Sequence, residues 1–358
     1  MASFVEIPPS KSTVTVSIIH ANAWVNKIPC SSFFNPAYIG LDTFDICSYS
    51  FLISHDNGSR KRHVLFDLGI RKDWESYSPF LAQRLKDWGA EVKVGQHVAE
   101  NLQEHGFNLR DAEAIILSHT HWDHVGNPAT FPLSTKLIVG PGIVREFIPG
   151  WPTASKSPLR GIDIAGREVL SLETHDFKSK VGGFRALDYF GDGSFYILNA
   201  PGHATGHLNA LARTTSNPDT FIPPAADSVH LGGELRPTSL LPLPAVVDIP
   251  GMGCRPCYTK ELLHIHPLQS ATKSFLRLDP SVPTDLESAE KTVELLKAFD
   301  ADERFLIIFS HDTSIFDILQ YYPKTANGWK VKCWKERGRW TFLADIKKAV
   351  TKAQMGIK

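Results

Sequence analysis

Cysteine is scarce in this sequence. The five present, Cys30, Cys47, Cys254, Cys257 and Cys333, are an odd number spread over 358 residues, which excludes a small disulfide-stapled scaffold and reads as mostly reduced thiols. An excess of charge of either sign is also missing. The 38 Lys plus Arg are matched by 38 Asp plus Glu, so the global basic field that nucleic acid or an anionic membrane would select is absent. Nowhere do about 18 apolar residues run together, and the opening MASFVEIPPSKS has neither the basic nor the apolar stretch of a secretory signal. These absences predict a cytoplasmic protein that acts on a small molecule, without nucleic acid or membrane partners. They leave its oligomeric state open.

What is present is enough apolar sequence for a large core, 42% hydrophobic residues, arranged as alternating strands and helices. Strands are expected at 13–19, 45–53, 63–67 and 114–117, a helix at 95–105 with Val98, Leu102 and His105 on one face, and a hairpin at 185–199 turning on Gly191-Asp192-Gly193. Strands at 209–213, 221–226 and 305–309 and a helix opening on the capping box Thr284-Asp285-Leu286-Glu287 complete the pattern. Four times an apolar strand delivers a His or Asp at its carboxyl end. Residues 232–283, rich in Pro and Gly without clear periodicity, read as a long insertion covering the site. With no repeat or linker visible, 1–358 is expected to form a single domain with its core at 13–345.

The chemistry concentrates in "ILSHTHWDHVGNP", where His119, His121, Asp123 and His124 follow an apolar strand. In a tight loop, alternate residues can point to one centre while the neighbouring Asp and His point to a second. Imidazole and carboxylate are the ligand types of zinc and similar divalent ions. A lone histidine would be an ordinary polar residue; four ligand-type residues at this spacing predict a metal site. Further strand-terminal candidates are His203 in "NAPGHATGH", Asp227, and His311 in Ser310-His311-Asp312.

In type and order these motifs resemble the metallo-β-lactamase-fold hydrolases, and most nearly the lactonase-like branch that includes N-acyl homoserine lactonases and related fungal hydrolases. The resemblance runs over about residues 13 to 345. It implies an α/β fold, a four-layer αβ/βα sandwich, with two divalent ions, expected to be Zn²⁺, at one edge. Position by position, His119, His121 and His203 would hold one metal, Asp123, His124 and His311 the other, and Asp227 would bridge them. Asp67, in "LFDLG", would orient a ligand histidine. His207 is expected to be a structural hydrogen-bonding residue.

Two departures from that family stand out. The bridging aspartate usually follows glycine, whereas Asp227 follows Ile222-Pro223-Pro224-Ala225-Ala226, so this strand must lie at an edge or be irregular. Where some lactonases carry a tyrosine, three residues past that aspartate, this chain has His230. The expected activity is opening of a lactone or similar cyclic ester by a metal-bound hydroxide, with Asp123 and Asp227 in the catalytic centre and His230 as the candidate acid. Cyclic amide (lactam) or acyl-thioester hydrolysis are the alternatives. Cys254-Arg-Pro-Cys257 with His264 and His266 is a weak zinc pattern and reads as packed thiols. Phe33-Phe34, Tyr49-Ser-Phe51 and 74–80 read as core, and Trp122 as a wall of the substrate pocket.

Overall fold

A computed structural model describes residues 5–38, 41–155, 157–249 and 257–346. The alternating pattern builds two sheets. In the larger, the strands lie in the spatial order Glu91–Val94, Val14–Pro29, Thr43–Asp56, Lys61–Phe66, Ala112–Ile116, Lys136–Val139 and Val169–Ser171. The first four run antiparallel to their neighbours, and the pairings from Lys61–Phe66 onward are parallel. The smaller sheet is an antiparallel meander of Ser179–Val181, Phe184–Asp188, Phe195–Asn199, Leu208–Ser216 and Asp219–Ile222.

Alternation along the strands sends one set of side chains inward and the other outward. Val16, Ile18, Phe51, Ile53, Val64 and Phe66 of the larger sheet meet Ile197, Leu208, Ala210 and Ala212 of the smaller in one cluster. On the outer face of the larger sheet, Leu52, Leu65, Ile115 and Leu137 pack with Val98, Ala99 and Leu102 of the helix Val98–Glu104. On the outer face of the smaller, Leu198, Leu211 and Phe221 pack with Ala289, Val293, Leu296 and Phe299 of the helix Leu286–Ala301. The layers are therefore helix, sheet, sheet, helix, as expected. His105 is the exception on its helix: it sits at the C-cap and is exposed.

The prolines at 223 and 224 act as their chemistry requires. Asp219–Ile222 is an edge strand; the chain then breaks and Pro224–Ala226 pairs instead with Ile308–Phe309. That switch brings Asp227 beside His311. Within 232–283, Leu243, Val247, Ile249, Leu262 and Phe275 join Ile28, Phe44 and Trp122 in a cluster of their own. Cys257 is disulfide-bonded, contrary to the packed-thiol expectation; Cys254 lies outside the described residues. Cys30, Cys47 and Cys333 are free thiols. Both ring nitrogens of His266 are taken, by the Lys273 carbonyl and the Leu268 amide, so it has no lone pair left for a metal. Among the described residues no helix is long and apolar enough to cross a membrane.

One partly buried histidine is expected to make the fold sensitive to acid. His20 lies among Trp24, Tyr49, Phe316 and Tyr321, and burial, partly offset by its bond to the Ala23 carbonyl, pulls its pKa down to about 4. The unfolded chain binds this proton near the ordinary value of about 6.5, so stability falls as pH drops below that value until the folded pKa is passed. Between pH 7 and 5 this residue alone is expected to cost about 2 kcal/mol. Urea unfolding of wild type and His20→Phe at both pH values checks it; an unchanged pH dependence in the variant would assign the effect elsewhere.

Candidate metal centre and its cavity

The loop at the carboxyl end of Ala112–Ile116 carries His119 and His121 and then turns into a single helical turn, Trp122–Val125, that carries Asp123 and His124. His203 arrives on the loop after Phe195–Asn199, Asp227 directly after Pro224–Ala226, and His311 after Ile308–Phe309. The structure brings these seven residues into two groups. His119, His121, His203 and Asp227 form one, and Asp123, His124, Asp227 and His311 the other, with the donor atoms of each group within 4.8 Å of one another.

Asp227 faces both groups, one oxygen to each. Its Oδ2 lies 3.7 Å from His119 Nε2 and 3.5 Å from His203 Nε2; its Oδ1 lies 2.9 Å from His124 Nε2 and 3.1 Å from His311 Nε2. His121 Nδ1 is 3.1 Å from His203 Nε2, and His311 Nε2 is 3.4 Å from Asp123 Oδ2. Ligands about 2.0–2.1 Å from a shared tetrahedral ion stand roughly 3.3 Å apart. The observed separations straddle that value. Moreover, the nitrogen His124 Nε2 and the oxygen Asp227 Oδ1 are close without being aligned for a hydrogen bond, and like His119 Nε2 they are buried with no partner. Buried polar atoms are rarely left so. Lone pairs that converge without pairing fit a site for two divalent ions.

The outer nitrogens explain why the inner ones are free. Asp67 accepts from His124 Nδ1 at 2.8 Å and from the Ser118 hydroxyl at 2.7 Å, so that hydroxyl oxygen can accept from His119 Nδ1 at 3.0 Å. His311 Nδ1 donates to the Cys47 carbonyl at 2.8 Å. Each bond occupies Nδ1 and leaves Nε2 turned toward the centre, the nitrogen that would take a metal ion in place of a proton. Burial pushes the pKa of His119, His121 and His203 down, keeping them neutral. It opposes charge on His124 and His311 as well, but Asp227, aided by Asp67 at His124 and by Asp123 at His311, raises both. Burial would also raise Asp227, yet His124 and His311 hold it well below the usual carboxylate range.

His207 stands apart. Its Nδ1 donates to the Ala200 carbonyl and its Nε2 accepts from the Asp227 amide, so it braces the bridging residue and offers no lone pair. The His203 loop is braced from the far side: the backbone amides of Thr284 and Asp285 donate to the carbonyls of His203 and Gly202. Gly202 (φ +128°) lies so close that a Cβ there would run into the Ala289 backbone.

His121, Asp123, His203, Asp227 and His311 of the two groups line the floor of a cavity of about 650 Å³, with His119 and His124 buried behind them. Its wall includes Ile28, Phe33, Phe44, Ile46, Trp88 and Trp122, its rim Phe80, Arg84 and Ser281. Trp122 is thus a wall, as expected. Phe33 and Phe80, expected in the core, are cavity residues, Phe80 being three-quarters exposed, whereas Phe34, Tyr49 and Phe51 are core. His230 is buried in the floor, its Nε2 3.6 Å from Asp227 Oδ2, its ring 5.2 Å from that of Phe33, and both its nitrogens unpartnered. Sequence reading gave no hint of Tyr77 and Ser48, whose hydroxyls bond the carbonyls of Trp122 and Asp123.

Comparison with known proteins agrees with this geometry. A family model described as "Metallo-beta-lactamase superfamily" matches residues 47–209. Gamma-lactamase FDB1 of Fusarium pseudograminearum (strain CS3096) is 38% identical over 351 residues, covering 96% of this chain and 84% of the relative. Cytochrome P450 monooxygenase mpaDE of Penicillium roqueforti (strain FM164) is 40% identical over 351 residues, of which this chain spans only 39% of the length. Among solved structures, a mutant of B. thuringiensis AiiA with N-decanoyl-L-homoserine bound shares the fold, with a TM-score of 0.55 at 15% identity over 88% of this chain and 99% of that one. With a family model matched over residues 47–209 and a relative 38% identical over 96% of this chain and 84% of its own length, the chain belongs to the metallo-β-lactamase superfamily.

Proposed function

We infer that this protein is a metal-dependent hydrolase that opens a lactone or a lactam, with His119, His121, His203 and Asp227 holding one ion and Asp123, His124, His311 and Asp227 the other. The observation that carries this reading is the sharing of Asp227 between two donor groups at the floor of a cavity. Two ions there, expected to be zinc, would supply Lewis acidity toward a carbonyl and a water of lowered pKa.

The chain's own residues supply the rest. Phe33, Phe44, Trp88 and Trp122 take the apolar body of a small substrate and exclude water from the reacting carbonyl. Asp67, Ser118 and the Cys47 carbonyl keep the ligand imidazoles aimed inward, with no reorientation needed on binding. His230, with both nitrogens unpartnered in the floor, is placed to give a proton from Nε2 to the leaving oxygen or nitrogen, and Asp123 to take one up. Opening of a cyclic amide is favoured specifically by the relative named gamma-lactamase at 38% identity.

The test is elemental analysis of the purified protein together with turnover of a panel of lactones, lactams and acyl thioesters. About two divalent ions per chain and hydrolysis of a cyclic ester or amide are expected. A folded protein that takes up no more than trace metal when supplied with zinc, manganese and cobalt would end the reading.

A further inference from the structure

The helix Trp122–Val125 is only one turn long. A helix leaves its last four carbonyls without internal partners, so nearly all of this one's acceptors must be met from outside. They are met by three separate segments. The Tyr77 hydroxyl donates to the Trp122 carbonyl at 2.6 Å, the Ser48 hydroxyl to the Asp123 carbonyl at 2.8 Å, and the Leu68 amide to the His124 carbonyl at 2.8 Å. Gly126 (φ +53°) then packs so closely on Leu68 that a Cβ would collide with it.

Tyr77 is itself held. It is buried, its ring lies edge-on to Trp122, and the Arg71 guanidinium sits 5.2 Å over it. Arg71, 2% exposed, bonds Asp163 at 2.5 Å and Asp73 through two nitrogens at 2.9 Å. A rigid ionic anchor therefore ends in one phenol that grips the peptide joining Trp122 to Asp123. The phenol is not part of the cavity wall.

We propose that Tyr77 is a positioning residue for the centre formed by Asp123, His124, Asp227 and His311, setting how tightly that centre holds its ion without touching substrate. The proposal rests on the ligand assignment above. Removing groups that orient metal ligands typically costs about 10- to 100-fold in metal affinity. Tyr77→Phe keeps the ring and loses only the donor, so one of the two ions is expected to bind 10- to 100-fold more weakly while the other keeps its wild-type affinity.

The experiment is titration of metal-free protein with Zn²⁺ against a chromophoric chelator, alongside thermal unfolding of the metal-free forms. Ser48→Ala, which removes the neighbouring donor, should weaken the same ion and serves as the second variant if Tyr77→Phe does not fold. At saturating metal, KM should stay unchanged in both. Wild-type affinity for both ions in the variants, or equal weakening of both, would overturn the proposal. Wild-type protein that binds fewer than two ions would instead overturn the ligand assignment, and the role of Tyr77 with it.

Discussion

Asp227→Asn is expected to lower bound metal from about two ions per chain to less than one and to cut turnover by about 10³-fold or more. The size of the effect follows from geometry. Each oxygen of Asp227 faces a different donor group, so one change weakens both centres, where loss of any single histidine would weaken one. Asparagine keeps the shape but removes the charge that lifts the pKa of His124 and His311 and that would offset two divalent cations. Its backbone amide still reaches His207, so the local fold should persist. Elemental analysis, circular dichroism and turnover on one preparation separate the possibilities. A folded variant that retains two ions and near-normal turnover would remove Asp227 as the shared ligand.

The second large effect is expected at His230 and should depend on the substrate. If its imidazole protonates the leaving atom, His230→Gln will slow substrates with poor, alkyl leaving groups by about 10²- to 10⁴-fold. Aryl esters, whose leaving groups depart as stabilised phenolates, should be affected several-fold at most. Support comes from its burial in the cavity floor, the proximity of its Nε2 to Asp227 and its two unpartnered nitrogens. A merely packed histidine would affect both substrates alike. The measurement is kcat/KM for a pair of esters that differ only in leaving-group pKa; equal effects would exclude the acid role and leave the metal assignment intact.

How far such residues can be read from sequence depends on what holds them. The His119–His124 loop is legible because four ligand-type side chains sit within one short loop after an apolar strand. The break at Pro223-Pro224 is legible because proline cannot serve a sheet ladder, and it does mark the point where the chain leaves one sheet for another pairing. Phe33 and Phe80 are not legible as cavity residues, since an aromatic that lines a cavity and one that fills a core look the same in a linear pattern. Tyr77 and Ser48 leave no trace at all. Each acts on a backbone carbonyl, which every residue has, from positions 45 and 75 residues away along the chain. The disulfide at Cys257 was hidden by the opposite problem, since sparse cysteines argue for thiols on average and say nothing of one pair.

The switch of Pro224–Ala226 from the smaller sheet to Ile308–Phe309 also bears on the order of events as the chain folds. Asp227 and His311 can be neighbours only after that parallel pairing closes a loop of roughly 80 residues, and His124 meets His311 across roughly 190, separations that make such contacts slow to form. Histidines 119, 121 and 203 leave the ribosome well before His311, at about 5–20 residues per second. For several seconds a nascent chain therefore carries Asp123 and His124 without His311, the last residue of their group to be made. Completion of the group formed by Asp123, His124, Asp227 and His311 is thereby tied to a long-range pairing rather than to the appearance of the histidine-rich loop.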